Sequence, residues 1–221
     1  SVFHRGDTSL SFRAGSTRVL HAMRELLAVN VAAGGRSLLL GCENWPYPAG
    51  WFSEENRDPV RGRTRMLYWE DGTASKNAPL VNGVGQVAYA DSVWSADADG
   101  LCVQADATSA YPLFVRKVSR SVRLAGDEFE IIDVWEAGSP SWFEARFHAP
   151  TGVTVALRDG VVAVGCGTHQ IRLSFQCPQT TVRVTVAPEH RSIPSRPPLT
   201  MIRAWISEPL EACSLLTRID S

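Results

Sequence analysis

No uninterrupted apolar run in the sequence approaches the roughly 18 residues that a membrane-crossing helix needs, so no membrane span is expected. Residues Ser1 to Arg13 lack the apolar stretch of a signal peptide, although a mature protein whose leader had been removed would look the same. Neither sign of charge prevails: 22 Lys and Arg stand against 23 Asp and Glu. The global field therefore offers a polyanion nothing, and nucleic acid is not an expected partner. The five cysteines, Cys42, Cys102, Cys166, Cys177 and Cys213, include no CxxC pair of the kind used by zinc ribbons and redox motifs. They read mainly as small core residues, with one disulfide left open. Missing too are a phosphate-binding loop, a Gly-x-Ser-x-Gly elbow, an HExxH helix and a calcium loop, so hydrolase, kinase and dehydrogenase readings have no support. There is no internal repeat and no low-complexity tract.

What is present is an ordinary globular composition, 44% apolar and 20% charged over 221 residues, which fits one domain over 1–221 rather than two small ones. From Val87 onward, short apolar or β-branched runs alternate with turn signals. The expected strands are 101–105, 118–124, 128–135, 142–148, 153–157, 161–164, 170–176, 181–186 and 199–206. Regularly spaced short strands must each hide one face against another sheet, so the expected fold is all-β, an antiparallel β-sandwich with few or no helices. Alternation is cleanest in Thr181 to Val186, where Val182, Val184 and Val186 share one face. The best helical stretch is His21 to Val29. It runs on through Gly34 and Gly35 to Leu40, however, and the whole reads better as two strands joined by a Gly-Gly turn. Glu43 to Arg65 has no periodicity and is rich in Pro, Gly, aromatic and charged residues, as long functional loops are.

Several residues have both a chemical and a structural reading. Trp45, Tyr47, Trp51 and Phe52 cluster in the long loop, where aromatic faces stack on sugars or else cover a core or dock another domain. Arg57, Arg61, Arg63 and Arg65 could grip carboxylates or sulfates through guanidinium forks, or pair with Glu54, Glu55 and Asp58. Asn77, Asn82 and Gln86 suit sugar contacts and equally suit turns that satisfy their own backbone. His21 is a candidate acid/base and also a candidate half-buried structural histidine. Trp69, Trp94, Trp135, Trp142 and Trp205 are expected in the core, and His148 has no sequence partner that singles it out.

Two segments together resemble a known family. One runs from His21 through Arg24 and Glu25 to Val29, then Gly34-Gly35-Arg36 and the apolar run to Leu40; the other is Asn77-Ala78-Pro79-Leu80-Val81-Asn82-Gly83-Val84-Gly85-Gln86. They resemble the C-terminal β-sandwich of heparinase II/III-type polysaccharide lyases, whose patterns run H-x-H-x-D-x-L, then Asp-x-Gly, then a Tyr-bearing aromatic loop, then H-N-x-P-L-I-N-G-x-x-Q. Tyr47 fits the aromatic element. Asp106 to Tyr111 and the strand pair from Arg120 to Asp133 occupy the expected places.

The resemblance implies a sandwich that works beside an α/α-toroid, an acidic polysaccharide bound between them, β-elimination as the reaction, and a periplasmic or secreted location. It makes His21 the sandwich's catalytic participant. The candidate substrate contacts are Arg24, Glu25, Trp45, Tyr47, Trp51, Arg57, Lys76, Asn77, Asn82 and Gln86. The family's structural zinc ligands fall at Met23, Gly41 and Lys76, which offer a thioether, bare backbone and an ammonium. No zinc and no other cofactor is expected, and Lys76 is expected to stand in for the cation, paired with Glu25. The leading expectation is a lyase sandwich that is not catalytic alone; the alternatives are a non-catalytic carbohydrate-binding domain and a structural interaction domain.

Overall fold

Alternating apolar and polar residues, broken every several residues by glycine-bearing turns, leave most of this chain extended, and hydrogen bonding then gathers it into sheets. The computed structural model describes residues 1–18, 23–42, 72–189 and 198–221. Within these, the strands form three antiparallel sheets, and the fold is an all-β sandwich. The first sheet is a meander of β1 (Val2–Arg5), β2 (Thr8–Phe12), β3 (Val29–Ala33) and β4 (Arg36–Leu39). Its last hairpin turns at Gly34 and Gly35, whose φ values of 54° and 73° only glycine adopts without strain. Gly34 has a second constraint: a Cβ there would lie 2.1 Å from His169 Nε2.

The other two sheets face each other. Eight strands run in the order β11 (Thr154–Arg158), β12 (Val161–Cys166), β13 (His169–Gln176), β16 (Leu210–Asp220), β9 (Glu128–Ser141), β8 (Val115–Ala125), β7 (Cys102–Asp106) and β6 (Val93–Ala96). The smaller sheet is β14 (Val182–Glu189), β15 (Leu199–Ile206), β10 (Phe143–Ala149) and β5 (Pro79–Val81). Aromatic rings join them. Trp135 of β9 stacks on Phe143 of β10 with centroids 3.7 Å apart and planes 8° from parallel, and Phe147 meets Phe175 of β13 at 6.1 Å. Such pairs add about 0.5–1.5 kcal/mol beyond the area they bury. One apolar cluster includes Phe3, Leu10, Val31 and Leu38 of the first sheet together with the facing sides of the other two.

Within this core lies a buried ion pair. Arg120 and Asp133 are direct cross-strand partners on the inward face of β8 and β9, neither side chain exposed, with guanidinium–carboxylate bonds of 2.7 and 2.9 Å. The second arm of Arg120 donates to the carbonyls of Leu27 and Asn77 at 2.7 and 2.8 Å. An unshielded buried charge would be costly, and here every direction is answered.

The nine strands expected beyond Val87 all form, with ends shifted by a few residues. The Gly-Gly hairpin also forms. Five strands were not expected: β1, β2, β5, β6 and β16. The last alternates faithfully, burying Cys213, Leu215, Thr217 and Ile219, but its polar Ser214, Thr217 and Arg218 blur the apolar signal. The stretch 23–28, expected as strand, is instead an arch that includes Leu27 at φ 67°. Its backbone finds partners other than a ladder: Leu27 and Ala28 bond to Arg13, Leu27 to Arg120, and Leu26 to a side chain, that of Gln86. Two of the cysteines, Cys42 and Cys213, are buried and the other three half-buried. Of the described tryptophans expected in the core, only Trp135 is there. Trp94 sits on the exposed edge strand β6, Trp142 at the junction of β9 and β10, and Trp205 on the outward side of β15.

Candidate functional site: a tryptophan and arginine pocket on the four-stranded sheet

Parity along β10 and β15 sorts their side chains. Phe143, Ala145 and Phe147 enter the core with Ile202, Ala204 and Ile206, which leaves Glu144, Arg146 and His148 on the opposite face beside Trp205, Arg203 and Met201. That face carries the chemistry. Glu144 is 3% exposed and its carboxylate accepts from Arg146 and from Arg203, the latter at 2.6 Å. One buried carboxylate thus orients two guanidinium groups. Arg203 also lies over the Trp205 ring, 4.5 Å from its centroid, yet keeps 38% of its side chain exposed.

A turn completes the wall. Asn82 and Gly83 form a two-residue turn with φ values of 51° and 73°, closed by mutual backbone bonds between Val81 and Val84. Asn82 then reaches sideways: its backbone N–H donates to the Trp142 carbonyl, its amide oxygen accepts from the Trp142 N–H at 2.8 Å, and its amide nitrogen donates to Ser141 Oγ. Trp142, 45% exposed, is thereby held beside the sheet face. Asn82, Trp142, Glu144, Arg203 and Trp205 line a pocket of about 430 Å³. Two indole surfaces and an oriented, partly exposed guanidinium suit a sugar ring that carries an anionic group.

The positions that the resemblance linked to zinc also converge. Lys76 Nζ lies 2.9 Å from Met23 Sδ and donates to the Cys42 carbonyl, and a Cβ on Gly41 would lie 3.1 Å from Lys76 Cα. Three separate segments therefore meet at one point. The residues present do not fit a zinc ion: the ammonium of Lys76 occupies the centre, and no carboxylate could extend from position 41 without displacing backbone. Glu25, expected beside Lys76, pairs with Arg13 at 3.7 Å in a different cleft, with Ser1, Phe12 and Asn30.

The remaining described candidates are buried and bonded to the protein. Asn77 Oδ1 accepts from the His148 backbone at 2.8 Å and lies 3.1 Å from His148 Nδ1, while Asn77 Nδ2 donates to Asn30. Gln86 pairs through both ends of its amide with the Leu26 backbone, at 3.1 and 2.7 Å. Arg24 donates to the Gln86 carbonyl. Burial pushes the Tyr111 hydroxyl above its ordinary pKa, against a hydrogen bond with Gln86 that lowers it, and the hydroxyl donates to the Pro79 carbonyl at 2.8 Å. These groups tie the arch at 23–28 and strand β5 to the residues around them rather than face an open surface. His21, Trp45, Tyr47, Trp51, Phe52, Arg57, Arg61, Arg63, Arg65 and Trp69 lie outside the described residues.

Of the expected contacts among the described residues, Asn82 alone lines the pocket. Glu144, Arg203, Trp142 and Trp205 were not expected there. Their signal is positional: Phe143 to Ala149 places Glu144, Arg146 and His148 at one parity, and Leu199 to Ile206 places Met201, Arg203 and Trp205 at one parity. Charged and aromatic residues on a single face of two strands mark a surface that is not core.

No protein family's sequence profile matches this chain, and no curated protein matches it in sequence. Solved structures do match. A heparinase III superposes with a TM-score of 0.68 at 15% identity, covering 96% of this chain and 32% of that one. Heparan sulfate lyase HepC from Pedobacter heparinus superposes with a TM-score of 0.66 at 11% identity, covering 97% and 33%. A 4-alpha-glucanotransferase from Thermococcus litoralis gives 0.57 at 8% identity, covering 100% and 37%. The fold is thus one that heparinase III structures contain, and the chain spans about a third of their length.

Proposed function

We propose that this chain is the β-sandwich portion of a heparinase II/III-like polysaccharide lyase, which binds and orients an acidic polysaccharide for β-elimination and is not catalytic alone. The observation that carries the proposal is the convergence of Met23, Gly41 and Lys76 from three separate segments, within a fold shared with heparinase III structures. The pocket supports the binding half. A uronate ring would stack on Trp142 or Trp205 and present its carboxylate, or a sulfate, to Arg203.

Elimination requires a base to take the proton beside the uronate carboxylate while the glycosidic oxygen leaves, and the resemblance assigns His21 to proton transfer. An α/α-toroid would supply the opposite wall of the cleft. A periplasmic or secreted location belongs to the same proposal, since such polymers lie outside the cytoplasm.

Calorimetric titration of this chain with heparan sulfate, hyaluronan and alginate tests binding. An acidic glycan should bind, and Trp142→Ala or Arg203→Ala should each weaken it about tenfold. Absence of affinity for all three, or affinity unchanged in both variants, would overturn the role of the pocket. Joined to an α/α-toroid, the protein should release unsaturated uronates, seen as rising ultraviolet absorbance, and His21→Ala should slow this about 10²–10⁴-fold. Binding without any absorbance growth would leave a carbohydrate-binding sandwich and reject the lyase reading.

A further inference from the structure

Outside the residues that line that pocket, two thiols meet. Cys177 directly follows β13 and Cys213 lies within β16, the strand that pairs with β13 through Gln176 and Leu216. Their Sγ atoms are 2.7 Å apart across a sequence separation of 36 residues. Both also approach Gln179 Oε1, at 3.5 and 3.0 Å. No other described cysteine is placed this way; Cys166 has the guanidinium of Arg36 at 3.8 Å, and Cys102 lies on β7 in a different part of the sheet.

We propose that Cys177 and Cys213 are a redox-modification site that closes to a disulfide. Two β-sheet neighbours already bring the side chains together, so closure needs a sulfur shift of under an ångström or so toward the covalent separation of about 2.05 Å. Access is also present. Cys177 is half-buried rather than enclosed, and an open hollow of about 240 Å³ reaches Cys213 and Gln179 beside Trp135. Burial, reinforced by the neighbouring Cys177, raises the pKa of the Cys213 thiol, which leaves the first attack to the less buried Cys177.

A low-molecular-weight disulfide such as oxidised glutathione is the oxidant. The Cys177 thiolate, having lost its proton to water, attacks one glutathione sulfur, and the first glutathione leaves as thiolate. Cys213, deprotonated in turn, attacks Cys177 Sγ and expels the second. The two protein thiols are oxidised, one glutathione disulfide is reduced to two glutathione thiols, and the two protons end on the leaving thiolates. The product ties the crossover at 177–181, which carries the chain from the eight-stranded to the four-stranded sheet, to the middle of β16.

Incubation of the whole chain with oxidised glutathione, followed by acid quench, alkylation in denaturant and peptide mass spectrometry, tests this. A peptide pair linked through Cys177 and Cys213, two hydrogens lighter than its parts and abolished by dithiothreitol, is expected. Free thiols should fall from five to three per chain. The midpoint of thermal unfolding should rise by on the order of 5 °C in the oxidised form, and Cys177→Ser should remove the difference between oxidised and reduced samples. Recovery of Cys177 and Cys213 both fully alkylated would overturn the proposal, as would a linkage no more abundant than those involving Cys102 or Cys166. The wild-type mass measurement decides the matter even where a serine variant folds poorly.

Discussion

Arg120 joins three buried polar groups, because one guanidinium neutralises Asp133 and also satisfies the Leu27 and Asn77 carbonyls. Arg120→Ala leaves a carboxylate and two carbonyls buried without those donors. We expect it to cost about 3–5 kcal/mol in urea denaturation, and an unaltered midpoint would show that water replaces the guanidinium. Glu130 gives a pH signature. Burial alone would raise its carboxyl pKa, but hydrogen bonds and charge from Arg123 and Arg218 outweigh that and hold it below the ordinary value. A depressed folded pKa means stability that is complete above the unfolded carboxylate pKa and is lost as pH falls through the folded one. Glu130→Gln should therefore lower the midpoint of thermal unfolding at neutral pH and flatten its decline on the acid side. Parallel curves for the two proteins would contradict this.

At the scale of elements, the Asn82-Gly83 turn links stability to binding. Asn82 adopts a left-handed conformation and its side chain holds Trp142 in place. Asn82→Ala should cost about 1–2 kcal/mol from the backbone conformation and should also weaken acidic-glycan binding by releasing Trp142. Asn82→Gly, which keeps the turn but loses the side-chain bonds, should retain stability better than affinity. Equal affinity in both variants and the parent would separate Trp142 from the site. The facing sheets depend on the stack of Trp135 and Phe143. Phe143→Ala, fully buried in the parent, should destabilise by about 3–5 kcal/mol, measured by denaturant unfolding followed through tryptophan fluorescence.

For the molecule as a whole, the apolar cluster that includes residues of all three sheets predicts one cooperative unit. Differential scanning calorimetry should give a single transition, lowered as one peak by Arg120→Ala and by Phe143→Ala. Two separable peaks, with only one moved by Phe143→Ala, would divide the first sheet from the sandwich. About a third of each heparinase III chain shares the same architecture, which in the proposed reading meets a second wall. In the proposed function, that wall is the α/α-toroid, and the face bearing Arg203 and Trp205 is where substrate would meet both.

Periodicity alone determined the all-β class, nine of the eleven strands described after Val87 and the Gly-Gly hairpin, because the two-residue repeat and φ-permissive turn residues act locally. The family resemblance also placed Met23, Gly41 and Lys76 in correspondence before their meeting was visible. Tertiary structure decided the rest. The arch at 23–28 is apolar enough for a strand, but its hydrogen bonds come from Arg13, Gln86 and Arg120, residues far away in sequence that no local pattern can supply. Asn77 and Gln86 look like surface amides in sequence and become buried joints only because the strands around them close over. The pocket needed the register of β10 against β15, which alone brings Glu144 opposite Trp205 and Arg146 opposite Arg203. The sulfur pair needed β13 to lie beside β16. Local preference acts over a few residues, whereas sites are assembled by pairings that span much of the chain, and only the packed sheets select those.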